Sequence, residues 1–289
     1  DYFANLPVNH APGFFREDSK IQAIALKAAV EDMEKNYKLR NQERNVVGFS
    51  LGAINSLFLA ALDENEKAGL NINKYMAINP PVDLMYALEQ IDVFFNIPLT
   101  WQEDEREARS KELFFKTFAL LGSAEEIMQR QSIPLTYEES CFLIGLNMRL
   151  SLAETIIASQ QKLQQDFLIN DPNAFNKNLL WKEVLSLTFS DYMEKSVIPY
   201  YLKFFPDKGE ELGSWLLQES NLFAIEKQLR EKENVFVLQN ANDFLISEEI
   251  LPWYKETFAE RAIILPEGGH LGNMYLPEYQ QLLLKLLEK

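Results

Sequence analysis

Asn45-Val46-Val47-Gly48-Phe49-Ser50-Leu51-Gly52-Ala53 is the stretch on which the reading of this chain turns. An apolar run leads into Gly-x-Ser-x-Gly, and an amphipathic segment follows from Leu51 to about Lys67, stopping at Gly69. The pattern predicts a buried strand meeting a helix through a very tight turn. Glycines are expected on both sides of the central residue, because the two backbones pass too close for a Cβ. The serine between them is forced into a strained, exposed conformation. Its hydroxyl then sits at a helix N-terminus, where partial positive charge favours a developing anion. A turn whose serine merely caps the following helix has the same local pattern, so the flanking chain has to separate the two.

Upstream, residues 1–18 read as irregular, with His10 an exposed loop residue. Asp18-Ser19 then open a helix to about Tyr37, with Ile21, Ile24, Ala25, Ala28, Val30 and Met33 on its apolar face. Downstream, Asn73 to Asn79 reads as the next buried strand, ended by Pro80-Pro81. Alternating helices and strands imply a parallel sheet with right-handed crossovers, whose working edge lies outside the carboxyl ends of its strands.

From about Asp83 to Glu231 helical periodicity takes over: Leu84–Phe95, Trp101–Leu121, Ala124–Gln131, Tyr137–Leu168, Ala174–Phe189, Tyr192–Phe205 and Glu210–Leu229. A helical block between two strands of a parallel sheet reads as an inserted cap. The alternative is an independent helical domain with its own partner. Strand character returns at Asn234–Gln239, followed by Asn240-Ala241-Asn242-Asp243. Next come a helix carrying Trp253, Tyr254 and Phe258, a last strand at Arg261–Leu265, the loop Pro266-Glu267-Gly268-Gly269-His270, and a closing helix, Glu278–Leu287. The expected organisation is an α/β core in two parts, residues 1–84 and 232–289, with the helical insertion at 85–231.

Composition narrows the chemistry. The chain of 289 residues is 47% hydrophobic and 25% charged, enough for one large domain or a core with a substantial insertion. A formal net charge of −15 argues against nucleic acid or an anionic membrane surface as partner. The lone Cys141 excludes a disulfide framework and reads as a small buried hydrophobe. Two histidines, His10 and His270, make a multi-histidine metal site improbable, and neither metal nor cofactor is expected. No run of 18 apolar residues is present, so no transmembrane segment is expected.

Three polar residues fall just past the ends of predicted strands, in the order Ser50, Asp243, His270. A serine hydroxyl is a poor nucleophile until a base takes its proton, and an imidazole titrating near neutrality suits that task. The imidazole in turn needs a carboxylate to fix its tautomer and stabilise its cation. Asp243 has a rival role as cap of a helix starting near Ser247. Asp83, after the Asn79 strand, is the alternative acid, and Glu267 a weaker one.

With these residues placed, the chain resembles the α/β-hydrolase superfamily over residues 20–84 and 232–289. The resemblance rests on GFSLG at 48–52, the strand-loop-Asp at 234–243, the strand-loop-Gly-Gly-His at 261–270 and the position of the helical insertion. It implies a serine hydrolase acting on a small ester or related acyl compound through an acyl-enzyme. The Leu51 amide would be one oxyanion donor, and residues 6–15 the only available source of a second. The other reading is a silent scaffold binding a partner or apolar ligand through its helices. Members of the superfamily carry several strands before the elbow, whereas one helix and no strand are read before Gly48 here. Upstream strands are therefore expected to belong to the protein outside this chain. Otherwise self-association would have to cover an open sheet edge.

Overall fold

Four short apolar runs form a wholly parallel sheet in the order β1-β2-β3-β4. In chain order the principal elements are α1 (Phe15–Asn36), β1 (Asn45–Phe49), α2 (Leu51–Ala61), β2 (Lys74–Ile78), α3 (Leu84–Phe95), α4 (Arg106–Leu121) and α5 (Tyr137–Leu163). There follow α6 (Asn178–Ser186), α7 (Leu212–Ser220), α8 (Glu226–Glu231), β3 (Val235–Asn240), α9 (Leu251–Phe258), β4 (Ala262–Leu265) and α10 (Pro277–Glu288). The computed structural model describes residues 10–37, 43–62, 67–121 and 135–288, with only the backbone of 118–121. The helix expected at Ala124–Gln131 lies outside the described residues. The class is the expected one, mixed α/β with a parallel sheet flanked by helices, consistent with an α/β-hydrolase-like fold.

The strands are apolar almost throughout because both faces of the sheet are covered. Met76, Ile78 and Leu238 point to one face, where Tyr279 and Leu286 of α10 pack on them with Val47, Ile263 and Leu265. Alternation turns Tyr75, Ala77, Val235 and Val237 to the other face, and all four are buried. On that side α2 lies against β1 and β2. Leu57, Phe58 and Leu59 of α2 are fully buried, each contributing about 1.5–3 kcal/mol.

The start of α1 differs from the sequence expectation. The helix begins at Phe15, and Asp18 and Ser19 are buried inside it. The Asp18 carboxylate turns back to accept a hydrogen bond from the Gly13 N–H (3.0 Å) and to pair with His10 Nε2 (2.5 Å). His10 is therefore buried instead of exposed, and Tyr201 closes the cluster by donating to the Ala11 carbonyl at 3.3 Å. Burial lifts the Asp18 carboxyl above the usual carboxylate range against the opposing pull of His10.

Two compact units emerge: residues up to Ala87 together with those from Met193 onward, and Leu88–Tyr192. In the first, α7 packs on α1 and α8 on α9. The helix expected over Tyr192–Phe205 continues from Phe189 through a π turn at Met193–Val197 and ends at Tyr201, and the one expected over Glu210–Leu229 is interrupted at Asn221, which turns extended.

The second unit is helical. Its core includes Cys141, Ile156, Leu180 and Val184. Helix α5 ends at Leu163 instead of Leu168 because Gln164 goes left-handed, at φ 52°. Helix α4 starts at Arg106 instead of Trp101, since Ile97–Thr100 forms a separate 3₁₀ turn. Among the described residues α5 alone is long and apolar enough to cross a membrane. It nevertheless carries Arg149, buried, paired with Asp92 Oδ1 at 2.5 Å, bonded to the Leu187 carbonyl and stacked on Phe95 at 4.7 Å.

Candidate active site

Register delivers the site. Phe49, Ile78 and Leu238 lie at one level of the sheet, so the chain leaves β1, β2 and β3 at a common edge. The ladder runs one step further than the strands: the Ser50 N–H donates to the Ile78 carbonyl (2.9 Å) and the Asn79 N–H to the Leu238 carbonyl (2.8 Å). The loop after β4 brings His270 to the same edge.

Ser50 sits at φ 51°, ψ −119°, a conformation that side chains rarely adopt, directly before the first residue of α2. Helical bonding begins with the Ala53 N–H to the Ser50 carbonyl at 2.9 Å, which leaves the Leu51 and Gly52 amides upstream of the ladder. The two glycines of the motif are not equivalent. A Cβ on Gly48 would lie 2.3 Å from the Gly52 carbonyl oxygen, whereas a Cβ on Gly52 meets nothing within 4 Å. The expectation that both are needed for close approach is thus corrected: Gly48 alone is.

Ser50 Oγ lies 2.8 Å from His270 Nε2. On its other side His270 Nδ1 faces both oxygens of Asp243, at 2.9 Å and 3.1 Å. Residues far apart in sequence thus form one hydrogen-bonded chain. Its inner half is shut off from water, with side-chain exposures of 5% for His270 and 0% for Asp243. The ring of Phe244 meets that of His270 at 71°, 5.7 Å between centroids. Nearby, burial and the negative charge of Asp243 push the Tyr254 hydroxyl well above its ordinary range; it donates to the Pro80 carbonyl at 2.6 Å.

The alternative acid is placed elsewhere. Asp83 Oδ1 accepts from the Met85 and Tyr86 amides at 3.0 and 3.3 Å and so caps α3. Asp243 has no such capping role, since α9 begins at Leu251 and is preceded by a 3₁₀ turn from Glu248. Of the segment expected to supply a second oxyanion donor, residues 6–9 lie outside the described residues, and the Gly13 amide is taken by Asp18.

A shell of side-chain amides escaped the sequence reading. Asn79 Nδ2 donates to Asp243 Oδ2 at 2.8 Å and Gln239 Nε2 to the same oxygen at 3.1 Å; the Leu245 N–H donates to Oδ1 at 3.0 Å. Asn240 Nδ2 reaches the Gly269 carbonyl (2.8 Å), Asn242 Oδ1 accepts from the Gly269 N–H (2.8 Å), and Asn273 Nδ2 donates to Asn240 Oδ1 (2.9 Å). Gly268 is wedged among them: at φ 142°, a Cβ would lie 2.5 Å from Asn273 Nδ2. The available signal was positional, because Asn79, Gln239 and Asn240 are the first polar residues at the ends of two apolar strands.

Chemically, a hydroxyl bonded to an imidazole whose far nitrogen faces a buried carboxylate can pass a proton from oxygen to nitrogen while the carboxylate stabilises the cation. Among the described residues no cluster of three or more His, Cys, Asp or Glu is arranged to hold a metal ion. Comparison with known proteins finds no protein-family model and no curated sequence that matches this chain.

Proposed function

We propose that the chain belongs to the α/β-hydrolase superfamily and is a serine hydrolase acting on an ester or related acyl compound of the carboxylesterase, lipase or thioesterase type. The observation that carries this reading is the continuous hydrogen-bonded chain Ser50 Oγ–His270–Asp243 at the carboxyl edge of the sheet. Ser50 attacks the acyl carbonyl while His270 Nε2 takes its proton. Asp243 fixes the imidazole through Nδ1 and stabilises its charged form. The negative oxygen of the tetrahedral intermediate develops next to the α2 N-terminus, where the Leu51 N–H is free of the helical ladder and the helix dipole favours an anion. His270 then returns its proton to the leaving group, and a water activated by the same nitrogen releases the acid.

A fluorophosphonate probe, which reacts with activated serines, tests the proposal. The expected result is labelling of the intact protein that disappears in Ser50→Ala and falls strongly in His270→Ala. Absence of labelling in the intact protein would refute turnover by Ser50 and leave a scaffold that binds without catalysis.

A further inference from the structure

We infer that Asn79 and Gln239 are positioning residues for this reaction, holding the Asp243 carboxylate turned so that it can orient His270. The inference rests on the hydrolase reading and extends it to two side chains that do not touch the nucleophile.

The Asp243 side chain is fully removed from solvent. A polar group in that position has to find its hydrogen-bond partners within the protein. Oδ2 receives three: His270 Nδ1 at 2.9 Å, Asn79 Nδ2 at 2.8 Å and Gln239 Nε2 at 3.1 Å. Oδ1 receives the Leu245 amide at 3.0 Å, a backbone group that no side-chain substitution removes. The two side-chain amides are thus the replaceable half of the clamp, and an amide nitrogen donates only, so the polarity of the contact is fixed. The other end of the Asn79 amide is fixed as well, because its Oδ1 accepts from Asn240 Nδ2 at 3.3 Å. Asn240 Nδ2 in turn reaches the carbonyl of Gly269, the residue before His270. One chain of amides therefore sets both the acid and the loop that carries the base. Asn79 also lies at φ 50°, a left-handed conformation in which Asn is enriched.

Three substitutions separate positioning from bulk structure. Asn79→Gly keeps the left-handed backbone and deletes the donor. Asn79→Asp keeps the size and sets an acceptor against Asp243. Gln239→Met keeps the chain length on a different strand and supplies an independent deletion should Asn79→Gly not fold. With p-nitrophenyl butyrate as substrate, each deletion is expected to lower kcat about 10- to 100-fold, the rate equivalent of one hydrogen bond to a charged group, with KM within about twofold. Asn79→Asp is expected to lose more. The deciding measurement is the same deletion in an Asp243→Asn background. A group acting through Asp243 costs nothing further there, whereas general loosening multiplies with it. Wild-type kcat in both deletion variants, or full multiplication in the double variants, overturns the inference while Ser50-dependent labelling stays intact. Failure of the wild-type protein to label overturns the hydrolase reading and this inference together.

Discussion

Replacing Gly48 by alanine tests whether the sheet and the helix on either side of Ser50 are as tightly joined as the backbone implies. The added Cβ would sit 2.3 Å from the Gly52 carbonyl oxygen, 2.6 Å from its carbon and 2.8 Å from the Ala53 Cα, where ordinary contact begins at 3.4 Å. All three obstacles are backbone, so no rotamer change absorbs them, and α2 has to move from β1 by about 1 Å. Overpacking of this kind costs about 1–3 kcal/mol. Because Ser50 joins the two elements, the displacement also pulls its hydroxyl out of the 2.8 Å contact with His270. A misplacement of about 1 Å at a reacting group costs about 10²-fold in rate. Gly52→Ala is the matched control: its Cβ enters open space, and alanine in place of glycine in a helix gains up to about 1 kcal/mol. Urea unfolding of the full chain measures the first effect, and the rate of fluorophosphonate labelling the second. A Gly48→Ala protein with wild-type stability and labelling rate, or a Gly52→Ala protein equally damaged, would refute the close-approach argument.

Asp243→Asn is expected to slow labelling of Ser50 by about 10³- to 10⁴-fold in a folded protein. Asp83→Asn, which touches only the α3 cap, should stay within a few-fold of wild type, and near-equal losses in the two would displace Asp243 from its role. Asp18→Ala removes the acceptor that joins His10 and the Gly13 N–H and should lower the unfolding free energy by about 1–3 kcal/mol, read from the urea midpoint. Tyr279 is buried with its hydroxyl unpartnered among the described residues, and burial pushes its ionisation up to about 12. A raised folded-state value means that its contribution is complete below pH 10 and is lost as pH climbs through 12. Tyr279→Phe has no hydroxyl to ionise and should therefore lose less stability than wild type as pH climbs through that window, read from urea midpoints along the pH series.

How far the sequence discloses all this depends on the range of the interactions. The four strands are legible to within about a residue because buried parallel strands are continuous apolar runs, and NVVGF, KYMAI, VFVLQN and AIIL are such runs. Ser50, Asp243 and His270 are legible as a set because each follows one of those runs. Helix ends are less so. Asp18-Ser19 has the look of a cap, but the Asp18 carboxylate is engaged by His10 and Gly13, and that loop is anchored by Tyr201, 190 residues from its partner Ala11. The amide clamp on Asp243 is hidden for the same reason. Asn79 lies 164 residues from the oxygen it holds, and an asparagine before Pro-Pro carries every local sign of an ordinary turn.

Of the six non-glycine residues at positive φ among the described residues, three gather at the same edge as the polar groups. Ser50 (φ 51°), Asn79 (φ 50°) and Leu271 (φ 64°) are left-handed without being glycine, and they follow β1, β2 and the loop beyond β4. Such conformations cost about 1–3 kcal/mol each and persist only where the surroundings over-determine them. The sheet supplies that constraint. Relaxing Ser50 gives up its N–H bond to Ile78, relaxing Asn79 gives up its bond to Leu238, and Leu271 packs its side chain into the cluster of Met76, Ile78 and Leu238. Core burial and ladder hydrogen bonds thus hold the hydroxyl, the amide and the imidazole loop in place before any ligand arrives. Under the hydrolase reading this is preorganisation: the folding energy of the parallel sheet has already met the cost of aligning Ser50 with His270, so substrate binding energy is left for the acyl group itself.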